Sequence, residues 1–137
     1  MKKIYIFSIV LIMCSLSSFA QINKQPLKPT VKPKVEVYYF HYAIRCATCI
    51  AIESNSKNSL LALYPEKVKT GEYTFKSVNL DEATSKSLAK KLKVGGQSLL
   101  VVCEDKQLDL TTKVFLYAQD QAKIKAEIKK AVEKVLH

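Results

Sequence analysis

Two cysteines separated by two residues, Cys46 and Cys49, directly follow an apolar run at residues 35–40. The run is rich in β-branched and aromatic side chains and predicts a strand, whereas helical spacing begins near Cys46. A CxxC at this junction places Cys46 at a helix N-terminus, where free N–H groups and the helix dipole stabilise a thiolate. Cys49 is then close enough to resolve a mixed disulfide formed by Cys46. The spacing therefore predicts a dithiol/disulfide redox site.

The other two cysteines do not extend this pattern. Cys14 lies near the N-terminus, and Cys103 belongs to the apolar run 99–103, which predicts an inert core thiol. Exported domains that depend on structural disulfides usually carry more cysteines, in even number. A functional pair plus one buried thiol is the interpretation we favour. A structural Cys46–Cys49 disulfide that never exchanges is the alternative.

Two side chains close to the cysteines in sequence are candidate auxiliary residues. The guanidinium of Arg45 would lower the pKa of Cys46 if it turned toward the sulfur. His41 would relay a proton if it reached the site, although a packing histidine is the simpler interpretation.

Metal binding is an alternative function for the two thiolates. Two cysteines can hold Cu(I) or half of a zinc site. After residue 20 the sequence contains no second CxxC, no His-x-His and no methionine. We therefore expect no metal and no cofactor, and keep a copper or zinc carrier as an alternative.

Residues 1–20 have the pattern of a secretory signal peptide: two lysines, an apolar stretch too short to span a bilayer comfortably, and small residues. We expect cleavage after Ala20, export to the periplasm, and membrane contact only through this peptide. Lipidation at Cys14 is disfavoured because Met13, just before it, is not small. The proline- and lysine-containing segment 21–34 is predicted to be an extended linker, and the folded domain to span 35–137.

The chain of 137 residues has a formal net charge of +10, which falls to +8 without the two lysines of the signal peptide. The lysines are dispersed and Arg45 is the single arginine. Because no arginine-rich or aromatic-interleaved stripe occurs, we expect no nucleic-acid partner.

The remaining patterns predict one α/β domain with a central mixed sheet of about four strands and helices on both faces. One predicted helix is weakened at 54–56, and another is capped by Asp81 and stopped at Gly95 in a left-handed conformation. The predicted order is β-α-β-α-β-β-α: strands 35–40, 73–80, 99–103 and 112–117, and helices 46–64, 82–94 and 120–136.

With its CxxC after the first strand and this element order, the chain resembles the thioredoxin-like superfamily over residues 35–136. The stretches that carry the resemblance are 39–49 and 94–102. More narrowly, VYYFH…RCATC…IE together with GGQSLLVV is similar to the small exported proteins of the nitrophenyl compound nitroreductase subunit ArsF family. The chain has no evident flavin signature that would indicate nitroreduction.

The resemblance implies a thiol–disulfide oxidoreductase or redox partner whose substrates are protein or small-molecule disulfides and thiols. Four departures from thioredoxin qualify it. Arg45 replaces the usual tryptophan, and Ala47-Thr48 replaces Gly-Pro. Phe40 stands where a buried acid assists proton transfer, and Gln97 where a cis-proline faces the disulfide. The resemblance implies that the Gln97 amide binds a partner's backbone in place of that proline, unless the segment 95–97 is only a turn. These departures keep open a non-catalytic protein-binding module on the same scaffold.

Overall fold

A computed structural model describes residues 32–137. The expected signal peptide and residues 21–31 of the expected linker lie outside the described residues. The elements are β1 (Val35–His41), α1 (Ala47–Leu63), α2 (Pro65–Lys69), β2 (Tyr73–Asn79), a 3₁₀ turn (Ala83–Ser85), α3 (Lys86–Lys91), β3 (Ser98–Cys103), β4 (Lys106–Asp109), α4 (Thr111–Leu116) and α5 (Gln121–Leu136).

The four strands form one mixed sheet in the order β2-β1-β3-β4. Strand β1 pairs with β2 in parallel and with β3 antiparallel, and β3 pairs antiparallel with β4. The predicted class, α/β with a four-stranded mixed sheet, is confirmed. Strand β1 is central, so the segment that leads to the cysteines leaves from the middle of the sheet.

Strand β1 is buried on both of its faces, which explains its continuous apolar sequence. Val37 and Tyr39 pack in one core cluster with residues of α1, α4 and α5. Tyr38 and Phe40 pack in a second cluster, against Ala89 of α3. Helices therefore cover both faces of the sheet, as predicted.

Helix α1 runs without interruption over its 17 residues, so the predicted weakening at 54–56 is wrong. Ser56 and Ser59 are fully buried on this helix, where their small side chains fit the packed interior. The Asn55 amide donates to the carbonyl of Ala118 at 2.9 Å, which ties the helix to the segment after α4. These tertiary contacts outweigh the low helix propensity of the Ser-Asn-Ser sequence.

Both predicted ends of the helix before β3 are wrong. The helical segment starts with the 3₁₀ turn, and the Asp81 carboxylate instead accepts the backbone N–H of Ala43 at 2.6 Å. At the other end Lys93, not Gly95, has the left-handed conformation, with φ of 56°. The N–H of Val94 donates to the carbonyl of Ala89 at 2.8 Å and completes a Schellman-type end.

The predicted strand at 112–117 is wrong, because these residues lie largely in helix α4. The fourth strand comes earlier, at β4, where Cys103 pairs with Lys106 across a two-residue turn. Glu104 makes this turn with φ of 54°, a conformation that its residue type does not suggest. Strand β4 lies at the sheet edge and is mostly exposed, so its polar sequence is similar to that of a loop.

Helix α5 matches its prediction. The side chain of Asp120 accepts the N–H of Lys123 at 3.1 Å and caps the helix. One face of the helix is apolar and buried, and it includes Ile124, Ile128, Ala131 and Val135. Among residues 32–137, every helix is too short or too polar to cross a membrane.

Candidate functional site

A short segment between β1 and α1 carries the first cysteine. It leaves the sheet at His41 and is tied to the loop after β2 by the Ala43–Asp81 hydrogen bond. Cys46 has extended backbone angles, φ −81° and ψ 161°, and forms the N-cap of α1. The reactive residue type therefore lies where a helix begins.

Cys46 and Cys49 are joined in a disulfide, with their Cα atoms 5.2 Å apart. Cys46 is exposed, whereas Cys49 lies in the first turn of α1 and is only 7% exposed. Cys46 therefore lies at a helix N-terminus with Cys49 close to it, as the spacing predicts.

The helix N-terminus acts directly on the first sulfur. The backbone N–H of Cys49 donates to Cys46 Sγ at 3.2 Å. The first turn of α1 contains no acidic side chain that would oppose the positive end of the helix dipole. Both features favour negative charge on Cys46 Sγ once the disulfide is reduced.

Gln97 precedes β3 and contacts the second sulfur. Its Oε1 lies 3.7 Å from Cys49 Sγ. Its Nε2 donates to the hydroxyl of Tyr39 at 2.5 Å. The amide NH₂ is thus used within the protein, and the amide oxygen faces Cys49 Sγ, which differs from the predicted role of binding a partner's backbone.

Tyr39 is a site residue that the sequence analysis missed, because it lies within a strand whose apolar pattern indicates only core packing. The side chain is fully buried, and its hydroxyl donates to the carbonyl of Cys49 at 3.0 Å. Burial raises the pKa of Tyr39, against the lowering effects of the Gln97 hydrogen bond and the Arg45 charge. A buried phenol needs hydrogen-bond partners, and this requirement was the one signal in the sequence that Tyr39 makes polar contacts.

Arg45 does not make the contact with Cys46 Sγ that was expected for it. Its guanidinium forms an ion pair with Glu53, two turns along α1, and its Cζ lies 5.9 Å from the centre of the Tyr39 ring. Within residues 32–137 no hydrogen bond joins Arg45 to Cys46. Glu53 is a second residue that the sequence analysis missed, and its place on α1 about one turn beyond Cys49 was the only clue.

His41 is buried at the end of β1. Its Nδ1 lies 2.8 Å from the carbonyl oxygen of Tyr42, so Nδ1 donates there. Its ring stacks on that of Tyr39, with centroids 6.0 Å apart. Over the described part of the chain His41 makes no hydrogen bond to either cysteine, so the contacts favour the packing interpretation.

The surface around the disulfide is partly apolar. Ile44, two residues before Cys46, is 96% exposed, and Tyr42 and Ile50 are also exposed. Thr48, between the cysteines, lines an open cleft with residues 115–120 and Lys123. A disulfide or thiol of another molecule can therefore approach Cys46 without displacing core side chains.

No cluster of three or more histidine, cysteine or acidic side chains able to hold a metal ion occurs among residues 32–137. Cys103 is free and buried on β3, in the core cluster beneath α5. Its predicted burial is confirmed.

Comparisons with known proteins give little further information. No family model and no curated protein matches the chain. The solved structure of a malarial protein aligns with 72% of this chain and 97% of that chain, at 22% identity and a TM-score of 0.46. A likeness at this level carries no argument about fold or function.

Proposed function

We propose that the protein is a thiol–disulfide oxidoreductase or redox partner in which Cys46 exchanges with substrate and Cys49 resolves. One observation carries the proposal: the exposed Cys46 Sγ forms the N-cap of α1, with Cys49 bonded to it from a buried position. A structural disulfide has no need of an exposed sulfur at a helix N-terminus. Thiol exchange does need it, because the nucleophile is a stabilised, accessible thiolate.

In the reducing direction the Cys46 thiolate attacks one sulfur of a substrate disulfide. A Cys46–substrate bond forms, the substrate S–S bond breaks, and the first substrate sulfur leaves and takes up a proton. Cys49, having lost its proton, then attacks Cys46 Sγ and releases the second substrate thiol. Two electrons pass to the substrate as the Cys46–Cys49 disulfide forms, and the oxidising direction is the reverse.

The substrates in this proposal are protein or small-molecule disulfides and thiols. The exposed apolar side chains of Tyr42, Ile44 and Ile50 support a polypeptide partner, because they offer contact area next to Cys46. The direction of electron flow depends on the partner as well as on the reduction potential of the cysteine pair.

A thioredoxin-like fold belongs to the same proposal. It is supported by the parallel β1–β2 pair followed by the antiparallel β3 and β4, with helices on both faces of the sheet. The placement of the CxxC at the start of the helix after β1 supports it too. The similarity to the ArsF family stays a proposal on the motifs quoted above.

We also propose export to the periplasm, on the sequence pattern of residues 1–20. An oxidising compartment agrees with a Cys46–Cys49 disulfide. Cell fractionation and N-terminal sequencing of the mature protein test this. A mature chain that begins at Gln21 supports the proposal, and one that retains residue 1 or begins with a lipidated Cys14 contradicts it.

The redox proposal is tested by disulfide exchange with a fluorescent peptide disulfide under a glutathione buffer. We expect the Cys46→Ser variant to lose exchange, and the Cys49→Ser variant to accumulate a mixed disulfide at Cys46. Cys103→Ala, a cysteine variant away from the site, is the matched control and should keep the wild-type rate. Full activity of Cys46→Ser, or a wild-type rate no higher than that of a free dithiol, would overturn the proposal.

A further inference from the structure

The side-chain amide of Gln97 has only one orientation that satisfies its neighbours. Tyr39 has a single hydroxyl hydrogen, and it goes to the carbonyl of Cys49, which can only accept. The Tyr39 oxygen must therefore accept from Gln97, which places the NH₂ group on that side. The carbonyl oxygen of the amide is then fixed toward Cys49 Sγ, at 3.7 Å.

The contact between Gln97 Oε1 and Cys49 Sγ differs between the oxidised and the reduced forms of the cysteine pair. In the disulfide Cys49 Sγ has no hydrogen, so Gln97 Oε1 faces sulfur lone pairs and gains no hydrogen bond. Reduction adds two electrons to the pair and, with Cys46 as the thiolate, one proton, which Cys49 holds and can donate as S–H to Oε1. Gln97 Oε1 thus stabilises the reduced form of the pair and does not stabilise the disulfide.

The sulfurs of the two cysteines face hydrogen-bonding groups of opposite kind. Cys46 Sγ faces a backbone donor, the N–H of Cys49, which favours a thiolate. Cys49 Sγ faces a fixed acceptor, which favours a protonated thiol. The site therefore distinguishes the two sulfurs before any substrate arrives.

We propose that Gln97 tunes the reduction potential of the Cys46–Cys49 pair, raising it and keeping the proton on Cys49, and that Tyr39 is the positioning residue that fixes the Gln97 amide. This inference rests on the proposed function, because a potential has meaning only for a pair that exchanges. It assigns to Tyr39 and Gln97 a role that neither core packing nor a simple turn would give them.

The test measures the equilibrium of the pair with reduced and oxidised glutathione. Gln97→Met keeps the approximate side-chain length and removes the acceptor. We expect the equilibrium to shift toward the disulfide by about three- to tenfold, the range of one net hydrogen bond. This corresponds to a potential lower by about 15–30 mV. Ser98→Ala, next to Gln97 in sequence, is the control and should leave the equilibrium unchanged.

Tyr39→Phe gives an independent measurement, because it leaves Gln97 in place but frees its amide to turn. We expect a shift in the same direction, and the double variant with Gln97→Met should shift no further than Gln97→Met alone. In a Cys46→Ser background, Tyr39→Phe should lower the pKa of Cys49, since the amide NH₂ can then face the sulfur. Simple destabilisation of the fold would lower the melting temperature without these linked changes.

The outcomes separate the two proposals. If the wild-type pair does not exchange with glutathione, the proposed function fails and this inference with it. If the pair exchanges but Gln97→Met leaves its potential unchanged, or moves it toward the dithiol, only the inference is overturned. Additive shifts from Tyr39→Phe and Gln97→Met would overturn the positioning role of Tyr39.

Discussion

The backbone N–H of Cys49 donates to the sulfur of Cys46 at 3.2 Å, so the first cysteine caps the helix that carries the second. Capping side chains normally use an oxygen from serine, threonine, aspartate or asparagine. Here a sulfur occupies that position, and the group that starts α1 is also the group that can react. The charge state of Cys46 and the start of the helix are therefore coupled.

The first prediction concerns the reduced protein. At neutral pH iodoacetamide should modify Cys46 at least roughly tenfold faster than Cys49, because Cys46 is exposed and favoured as a thiolate. Cys103, buried in the core, is the internal control and should react slowest. Peptide mapping by mass spectrometry measures all three rates in one sample. Equal rates at Cys46 and Cys49 would contradict the asymmetry of the site.

The second prediction concerns the ion pair of Arg45 and Glu53. Glu53→Gln removes the carboxylate that pairs with the guanidinium of Arg45, the residue before Cys46 in sequence. We expect the pKa of Cys46 to fall, because the positive charge of Arg45 is then no longer balanced by a carboxylate. Ultraviolet absorbance of the thiolate against pH gives the value.

Two further variants complete that measurement. Arg45→Gln should raise the pKa of Cys46, because it removes the positive charge of the preceding residue. Glu133→Gln also breaks an ion pair, with Lys129 on α5, and should leave the pKa unchanged. A rise of the pKa in Glu53→Gln would show that Arg45 does not act on the thiolate.

The third prediction uses the left-handed residue that ends α3. Lys93 has φ of 56°, a conformation that costs a residue with a Cβ more than it costs glycine. Lys93→Gly should raise the free energy of unfolding by about 0.5–1 kcal/mol, after the entropic cost of glycine is subtracted. Denaturant unfolding of wild type and variant measures the difference.

Gly95→Ala is the matched comparison for Lys93→Gly. A Cβ added at Gly95 would have no atom within 4 Å. The substitution should therefore not destabilise the protein. A loss of more than about 1 kcal/mol would mean that Gly95 needs a left-handed backbone after all.

The fourth prediction is a pH dependence at the start of α5. The backbone N–H of Lys123, and then its ammonium, lower the pKa of Asp120. Because the folded-state pKa lies below the unfolded one, the carboxylate stabilises the fold above the unfolded value and loses that effect as pH falls through the folded value. Asp120→Asn should lower the melting temperature by roughly 2–4 °C at neutral pH.

That difference should disappear in acid, where the Asp120 carboxyl group is neutral in wild type as well. Thermal unfolding of both proteins between neutral pH and pH values below 3.8, the ordinary value for aspartate, gives the comparison. Asp120→Ala removes the cap itself and should stay less stable than wild type at every pH. A constant difference between wild type and Asp120→Asn would show that charge plays no part in the cap.

The sequence predicted those elements whose patterns are set by burial. The runs at 35–40 and 99–103 are covered on both faces, and their continuous apolar sequence indicates this burial. The hairpin after Cys103 could not be predicted, because Glu104 adopts a positive φ and β4 is a polar edge strand. Helix α4 is held by tertiary contacts, such as Leu99 N–H donating to Thr111 Oγ1 at 3.1 Å, against its local strand propensity.

The candidate site divides in the same way. The relation of Cys46 to Cys49 is local, and a spacing of three residues on a helix determines it. The contact of Gln97 with Tyr39 joins residues 58 positions apart, and no pattern within either segment indicates it. Arg45 shows the converse: its position beside Cys46 suggested a contact with the sulfur, but Glu53 offers the guanidinium a stronger partner.

The central position of β1 bears on how the protein tolerates a change at its cysteines. β1 is flanked by β2 and β3 and therefore has no free edge within the sheet. Cys46 lies five residues beyond the end of this strand. A short segment thus ties the first cysteine to a strand that is hydrogen-bonded on both of its sides, and we expect a substitution at Cys46 to leave the pairing of β1 in place.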